Sequence, residues 1–321
     1  MDNKIDLDVV DFIEDKLLIK INDSEIINRG LLNLKWKVST DQGILFLKIY
    51  HPLRYNEKKL EEVNVALFYY NKINSLGFKC PKLFNYNGNH LLKTNLGNNF
   101  ILTEYSTGYL ITPGKINENQ AYCLGEEIGK MHDYTNRFDI YFEKESWKIP
   151  TKETLLEKWK YNWSKLNQTV NKEFKEVLKK QKQIFEKFDL SQFAKLKPTL
   201  AHNDLWCDNI LFHENSVSSI LDFDRFNLTY MELDIARAIL SFGLDQMTLR
   251  KDIVQAFLKG YNKIKLLSKR ELILAIRLCF IRESLGWLGP NIKINNGPPE
   301  RFKYEMIWIA NNWNKLEEVI G

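Results

Sequence analysis

The side chains best suited to chemistry are concentrated between residues 200 and 224. Asp204 is followed five positions later by Asn209, and Asp222 ends a short apolar segment. Phosphoryl transfer needs a base or orienting group for the attacking hydroxyl, and oxygen ligands that hold Mg²⁺ against the phosphates. Asp204 fits the first role. Asn209 and Asp222 fit the second, because Mg²⁺ usually takes only one or two ligands from protein.

A hairpin is predicted directly after the segment that carries Asp204 and Asn209. The apolar segments 210–212 and 219–221 flank the turn-like residues 213–216, so they are typical of two short strands. This hairpin would return Asp222 beside Asn209. The alternative is a surface loop with ordinary Asp and Asn turns. The hairpin, the terminal Asp222 and the nearby His202 favour the chemical interpretation.

A lysine that could contact nucleotide phosphates lies upstream. Segments 34–40 and 44–50 flank Asp-Gln-Gly at 41–43, which predicts a hairpin. Lys48 is the only charge in the apolar segment 44–50. It could be an edge-strand lysine that opposes aggregation. Because the chain also carries Asp204, Asn209 and Asp222, the better interpretation is that Lys48 contacts the α- and β-phosphates of a nucleotide.

These motifs resemble the aminoglycoside phosphotransferase and choline kinase superfamily, the small-molecule branch of the protein-kinase-like fold. The resemblance rests on His202-Asn203-Asp204, Asn209, Leu-Asp-Phe-Asp at 221–224 and Leu-Asp-Ile-Ala at 233–236. It implies that Asp204 is the catalytic base, that Asn209 and Asp222 hold metal, and that ATP and Mg²⁺ are the cofactors. Protein kinases carry Arg between His and Asp and use Asp-Phe-Gly. Asn203 and Asp224 therefore favour a small-molecule kinase.

The resemblance also implies roles outside the loop. Lys48 needs an acidic partner on the helix predicted at 57–75, and Glu62 is favoured over Glu61 because of its spacing to Gly-x-x-x-Pro at 77–81, a homoserine-kinase-like feature. Backbone groups of Glu104 and Ser106 would bind adenine. Residues 29–33, with one glycine, are the candidate phosphate-covering loop.

Three further residues receive predicted roles around the loop. His202 is expected to bond backbone near the metal loop rather than to take a proton. Asp224 could ligate metal through water or accept hydrogen bonds beside Asp222, and the sequence leaves both open. Asp234 should start a helix, where it would cap that helix or anchor the catalytic loop.

The acceptor site is less defined. Arg282 could bind a substrate carboxylate through two parallel hydrogen bonds, and Glu283 or Trp287 could hold an ammonium group. The alternative is that these are solvated residues beside the core face formed by Leu278, Ile281, Leu285 and Leu288. The predicted partner is a small molecule with a hydroxyl group: an amino alcohol, a homoserine-like compound or an aminoglycoside.

Composition sets broad limits. No segment approaches the roughly 18–20 apolar residues of a membrane span, and the four cysteines show no zinc-like spacing, so we expect a cytoplasmic protein without a membrane partner. The net charge is +5, but residues 143–197 alone hold 14 Lys and 8 Asp or Glu. That excess follows an amphipathic helical pattern, which predicts a solvated face and no nucleic-acid partner. Monomer and homodimer stay open.

The predicted fold is α+β: a two-lobed protein-kinase-like fold with a small antiparallel β-sheet N-lobe and a mainly helical C-lobe. We expect a nucleotide-binding lobe at 1–105 and a helical lobe at 106–321 with the catalytic loop and acceptor site. A catalytically silent binding or structural protein, similar to spore-coat kinase-like proteins, is the alternative. A protein kinase is disfavoured because no Ala-Pro-Glu follows Asp222.

Overall fold

The computed structural model describes residues 4–27, 33–166, 172–289 and 298–321. The chain divides into two compact units. The first contains Met1–Tyr109, Ile210–His213 and Val217–Phe226, and the second contains Leu110–Asn209, Glu214–Ser216 and Asn227–Gly321. The α+β prediction is confirmed, since the sheet is concentrated in the first unit and the helices in the second.

The elements follow in chain order. Up to residue 110 they are α1 Leu7–Lys16, β1 Ile21–Ile26, β2 Leu34–Thr40, β3 Gly43–Ile49, α2 Glu57–Ser75, β4 Leu92–Lys93, β5 Asn99–Glu104 and β6 Tyr109–Leu110. The middle of the chain contains α3 Glu118–Thr135, α4 Lys152–Ser164, α5 Lys172–Lys187, β7 Thr199–Ala201, β8 Ile210–His213, β9 Ser216–Ile220 and β10 Asn227–Thr229. The remainder contains α6 Met231–Gly243, β11 Leu244–Asp245, β12 Thr248–Leu249, α7 Lys251–Asn262, α8 Lys269–Trp287, α9 Pro298–Asn312 and α10 Leu316–Val319.

The first unit is built on a five-stranded antiparallel sheet in the order β1-β2-β3-β5-β4. One face of the sheet buries Trp36, Val38, Leu45 and Leu47 against α1. Sequence patterns predicted one helix here, and α1 is a second. Its apolar Val9 and Ile13, one turn apart, are fully buried.

The paired strands β8 and β9, apart from Ser216, belong to the first unit, whereas the predicted division placed this hairpin in the helical lobe. The Ile220 N–H donates to the Lys79 carbonyl at 2.8 Å. The Phe223 ring, just after the hairpin, stacks on Tyr70 of α2 with 4.5 Å between centroids. These contacts bring Asp222 and Asp224 into the first unit, and they explain why the division does not follow a single cut near residue 105.

The second unit is helical around α6, in which every residue from Glu232 to Gly243 is buried. Its tightest helix contact is between α3 and α7. A Cβ atom at Gly125 would lie 2.1 Å from the Phe257 carbonyl oxygen, and one at Gly260 would lie 1.9 Å from that of Tyr122. The backbones of α3 and α7 therefore touch at two glycines. Among the described residues, no helix has both the length and the apolar character needed to cross a membrane.

Candidate active site

Lys48 is the centre of a buried charge cluster in the first unit. Its side chain lies on β3, and the residue is only 2% exposed. Nζ donates to Asp222 Oδ1 at 2.8 Å and to Asp224 Oδ2 at 2.6 Å. Burial acts to lower the pKa of Lys48, but attraction to Asp222 and Asp224 outweighs it and raises the pKa. The lysine is therefore a fixed cation.

Asp224 is held on both oxygens. Oδ1 accepts from the Tyr50 hydroxyl at 2.8 Å, and Oδ2 accepts from the Tyr55 hydroxyl at 3.0 Å in addition to Lys48. Burial, reinforced by the Asp224 charge, raises the pKa of Tyr50 well above its usual value, so the phenol remains a donor. From the sequence, Asp224 could either ligate metal through water or accept hydrogen bonds beside Asp222. This geometry favours hydrogen bonding.

Asp222 is the more accessible carboxylate of the pair. Its side chain is 30% exposed, compared with 7% for Asp224. The Asp222 backbone is left-handed, with φ 61° and ψ 63°. Such a conformation is uncommon for a residue with a side chain and is stored at functional sites more often than elsewhere. The apolar strand β9 ends just before it, so Asp222 is presented at the end of the hairpin.

Glu62 is not the partner of Lys48, and that prediction is corrected. Glu62 lies in an early turn of α2 and is exposed. The two acids that contact Lys48 come instead from the segment after β9. The spacing of Glu62 to Gly77 favoured it over Glu61, but a local spacing could not show which acid reaches the buried lysine.

Lys35 lies near this cluster, although no sequence motif indicated it. It lies directly opposite Lys48 in the β2–β3 register, and opposed residues project from the same face of a sheet. Lys35 is half-buried. Burial lowers its pKa, the Asp222 charge acts against this, and the Lys48 charge adds to it. The alternation of Lys35 and Lys37 with Trp36 and Val38 was the available signal.

The backbone positions expected to bind adenine lie at the end of strand β5, which finishes at Glu104, and just after it. The Glu104 N–H already donates to the Lys82 carbonyl at 3.0 Å, and the Glu104 carbonyl accepts from Thr103 Oγ1 at 2.9 Å. The Ser106 side chain donates to Ser219 Oγ at 3.0 Å. The Glu104 carbonyl and Ser106 N–H are two residues apart, so in extended chain they point to the same side.

The loop that contains Asp204 is anchored in the second unit by Asp234. This carboxylate is fully buried and accepts from the His202 N–H at 2.7 Å and the Asn203 N–H at 2.8 Å. His132 Nε2 lies 3.3 Å from it, and His132 Nδ1 lies 2.9 Å from the Tyr261 hydroxyl. Of the two roles predicted for Asp234, anchoring the loop is the one observed. Helix α6 begins earlier, after Tyr230, without a side-chain cap.

His202 has the predicted structural contact. It is fully buried, and its Nδ1 accepts from the Asp204 N–H at 3.2 Å. Asn203 adopts φ 65°, a left-handed conformation that Asn tolerates better than most residues. The turn fixes the backbone on both sides of Asp204, whose side chain is half-buried.

Asn209 is oriented by the same loop. Its Nδ2 donates to the Asp204 carbonyl at 2.9 Å. With the amide nitrogen committed to this bond, Oδ1 is the atom suited to a cation. An amide oxygen here and a carboxylate at Asp222 are the hard oxygen donors that Mg²⁺ prefers. The donor chemistry thus fits the predicted metal.

The residues predicted to contact acceptor lie on α8. Arg282 Nη1 donates to Asn203 Oδ1 at 2.8 Å, so it supports the loop that contains Asp204. Glu283 is bound by Arg237 and by Trp287 Nε1, the latter at 3.2 Å. Arg237 is itself buried and also pairs with Glu305. Glu283 is thus already occupied by a cation, which disfavours the predicted ammonium contact.

Two other sequence features can be placed. Burial, followed by the Asp208 charge, raises the pKa of the Cys207 thiol to about 12, so this loop cysteine is not a thiolate nucleophile. The candidate phosphate-covering loop at 29–33 lies outside the described residues except for Asn33. The Asn33 Nδ2 donates to the Tyr55 hydroxyl at 3.3 Å.

Similar proteins have the same fold. A microcompartment-associated aminopropanol kinase matches with a TM-score of 0.68 at 14% identity, covering 98% of this chain and 99% of that one. A spectinomycin phosphotransferase solved with ADP and spectinomycin matches with a TM-score of 0.61 at 15% identity, covering 97% and 98%. A choline kinase from Cryptosporidium parvum matches with a TM-score of 0.56 at 16% identity, covering 93% and 90%. These likenesses confirm the protein-kinase-like fold.

Sequence comparison gives the family. A homoserine kinase of Zymomonas mobilis is 24% identical over 253 residues, which are 76% of this chain and 73% of that protein. The model of the phosphotransferase enzyme family matches residues 23–267, and this range includes Lys48, Asp204 and Asp222. The superfamily resemblance and the kinase activity class are thereby confirmed. The chain belongs to the phosphotransferase enzyme family, whose members among its relatives are small-molecule kinases.

Proposed function

We propose that this protein transfers the γ-phosphate of Mg-ATP to a hydroxyl group of a small molecule: an amino alcohol, a homoserine-like compound or an aminoglycoside-like compound. The observation that carries the proposal is the arrangement around Asp204. Its N–H is held by His202, and the turn before it is fixed by the buried Asp234. A carboxylate presented on such a rigid loop is suited to orienting a hydroxyl for attack.

In the proposed reaction, Asp204 orients the acceptor hydroxyl and accepts its proton. The hydroxyl oxygen forms a bond to the γ-phosphorus while the bond from that phosphorus to the bridging oxygen of the β-phosphate breaks. The products are ADP, the phosphorylated acceptor and a proton on Asp204. Asn209 and Asp222 are the proposed ligands of Mg²⁺, which would neutralise charge at the phosphate oxygens when bound.

Lys48 is the proposed contact to the α- and β-phosphates, with Lys35 beside it. Asp224, clamped by Tyr50 and Tyr55, supplies the carboxylate that holds Lys48 in place. This role replaces the one predicted for Glu62. Adenine is proposed to bond the Glu104 carbonyl and the Ser106 N–H, since both point to one side of the chain.

The test is Asp204→Asn, which keeps the shape of the side chain but removes the base. We expect kcat to fall by about 10²–10⁴-fold, the range for loss of a positioned acid or base, while ATP affinity and melting temperature stay close to wild type. The matched control is Asp208→Asn, an exposed acid on the same loop, which should keep normal turnover.

Near-normal turnover of Asp204→Asn would contradict the assignment of the base. Tight Mg-ATP binding without Asp204-dependent transfer to any acceptor would favour the alternative of a silent kinase fold used for binding. The presence of Lys48, Asp204, Asn209 and Asp222 together argues against that alternative, because a silent relative can lose them without unfolding.

A further inference from the structure

A cleft in the second unit has the dimensions of a small-molecule site. It has a volume of about 810 Å³ and opens where α4 and the preceding residues 147–150 face the C-terminal half of α8. Pockets that hold small ligands commonly measure roughly 300–1,000 Å³. Trp147 and Tyr161 contribute aromatic surface, and Leu155 and Ile281 contribute aliphatic surface. The cleft is thus large enough for an organic molecule and partly apolar.

The charged residues that line the cleft are mostly cationic. Lys148, Lys158 and Arg282 contribute three positive charges, and Glu157 contributes one negative charge. Lys148 also lies 3.4 Å from Glu145, but both groups are accessible to solvent and an exposed pair of this kind is weak. A polycation such as an aminoglycoside would meet repulsion here. An anionic group would be attracted.

Arg282 connects the cleft to the loop that contains the proposed base. Its Nη1 donates to Asn203 Oδ1 at 2.8 Å, and Asn203 directly precedes Asp204. The guanidinium also lies over the Trp147 ring, 5.8 Å from the centroid. One side chain therefore lines the cleft, packs on its aromatic wall and bonds the catalytic loop.

We propose that this cleft binds the acceptor and that the acceptor carries a carboxylate in addition to its hydroxyl. This inference rests on the proposed function and narrows it to hydroxy acids and hydroxy amino acids. The carboxylate is held by the cationic wall and is unchanged in the reaction. The hydroxyl oxygen is the atom that bonds to the γ-phosphorus, and its proton passes to Asp204. An ammonium group, where present, faces Glu157 and the aromatic wall.

Three alcohols of matched length isolate the carboxylate. Homoserine carries a carboxylate and an ammonium group, 4-hydroxybutyrate lacks the ammonium group, and 3-amino-1-propanol lacks the carboxylate. ADP release is measured for each with Mg-ATP, and kanamycin serves as the polycation. We expect kcat/KM to be at least about tenfold higher for homoserine and 4-hydroxybutyrate than for 3-amino-1-propanol, in the range of a hydrogen bond to a charged group.

The Lys158→Gln variant tests the cationic wall of the cleft. It leaves the loop that contains Asp204 unchanged, because Lys158 is exposed on α4. We expect KM for the carboxylate-bearing acceptors to rise about two- to fivefold, the scale of one exposed charge contact. KM for 3-amino-1-propanol should rise less than this, because that alcohol has no carboxylate for Lys158 to attract. Lys160→Gln is the matched control: it removes the same charge from the same helix at a position that does not line the cleft.

The outcomes separate the two proposals. Asp204-dependent transfer to 3-amino-1-propanol or kanamycin, with equal or better kcat/KM, overturns the inference and leaves the kinase proposal standing. Ligand-observed NMR then covers the case of no turnover. If homoserine and 4-hydroxybutyrate bind the wild-type protein more tightly than they bind the Lys158→Gln variant, without turnover, the acceptor cleft is supported and the proposed kinase function is not. If no such binding is detected up to about 10 mM ligand, the binding free energy is weaker than roughly −3 kcal/mol, and the inference is overturned.

Discussion

Two buried clusters use carboxylates in different ways. In the first unit, Asp222 and Asp224 face a side-chain cation, Lys48. In the second unit, Asp234 faces backbone N–H groups of the loop that contains Asp204, with His132 beside it. Asp234 is completely inaccessible, whereas Asp222 keeps about a third of its side chain exposed. Asp234 is thus a carboxylate that fixes a backbone out of reach of solvent, whereas Asp222 binds a side chain and remains accessible.

The largest effect on stability is expected at Asp234, which anchors the backbone of the loop that contains Asp204. Asp234→Asn replaces a carboxylate oxygen by an amide NH₂, which then faces a backbone N–H. Since hydrogen bonds to a charged group are worth about 1.5–3 kcal/mol each and two are affected, we expect the free energy of unfolding to fall by about 3 kcal/mol or more in urea titration. Asp133→Asn, which breaks only the exposed pair with Arg137, should cost less than about 1 kcal/mol. Equal losses for both would contradict the anchoring role.

A second buried acid on α6 sharpens the comparison, because Glu232 lacks the donors that Asp234 has. Its Oε2 has no hydrogen-bond partner among the described residues, and burial raises the pKa of Glu232 to about 7. The folded state therefore binds the proton more tightly than the unfolded state. Glu232 contributes no penalty below about pH 4.5, and the penalty grows as the pH rises towards 7.

Glu232→Gln should remove that penalty. We expect the advantage of the variant over wild type in free energy of unfolding to grow by about 2.5 kcal/mol from pH 5 to pH 8, since each unit of pKa shift corresponds to about 1.4 kcal/mol and part of the penalty is already present at pH 5. Urea unfolding of both proteins at the two pH values measures the difference. A difference independent of pH would mean that Glu232 titrates normally in the folded state.

Measurements of nucleotide binding can distinguish the roles of Asp222 and Asp224, the two acids that contact Lys48. Asp222→Asn should weaken ATP binding only when Mg²⁺ is present. Asp224→Asn should weaken binding by about 5–100-fold both with Mg²⁺ and in EDTA, because it acts through Lys48; this is the effect of about 1–3 kcal/mol for loss of a buried partner. Calorimetric titrations in both conditions compare them. An Asp224→Asn loss confined to Mg²⁺ would place Asp224 at the metal instead.

The smallest effect is expected at Glu62. It is exposed and Lys48 is bound elsewhere, so Glu62→Gln should change ATP affinity and stability by less than about 0.5 kcal/mol, as for most surface substitutions. The same titrations measure it. A loss of ATP affinity as large as that expected for Asp224→Asn would instead support Glu62 as the partner of Lys48, as predicted from the sequence.

Local patterns predicted the elements well, because apolar periodicity and turn residues are local signals. The helix expected at 57–75 is α2, and the hairpin around 41–43 is β2–β3. Contacts between distant positions were not predictable in this way. Asp224 reaches Lys48 across 176 positions, and Arg237 reaches Glu283 across 46 and Glu305 across 68. Such pairings depend on tertiary packing, so a single sequence suggested the acids without showing which cation each one meets.

The crossing of α3 and α7 has a consequence for how mutational surveys of this protein would appear. Gly125 and Gly260 have no room for a methyl group, although Ala is otherwise the better helix former by about 1 kcal/mol. A survey that scored activity alone would rank both glycines with Asp204 as essential. A parallel measurement of protein abundance would separate them, since the glycine variants would be lost through misfolding and Asp204 variants would accumulate normally. Intolerance at this crossing would therefore indicate architecture rather than chemistry.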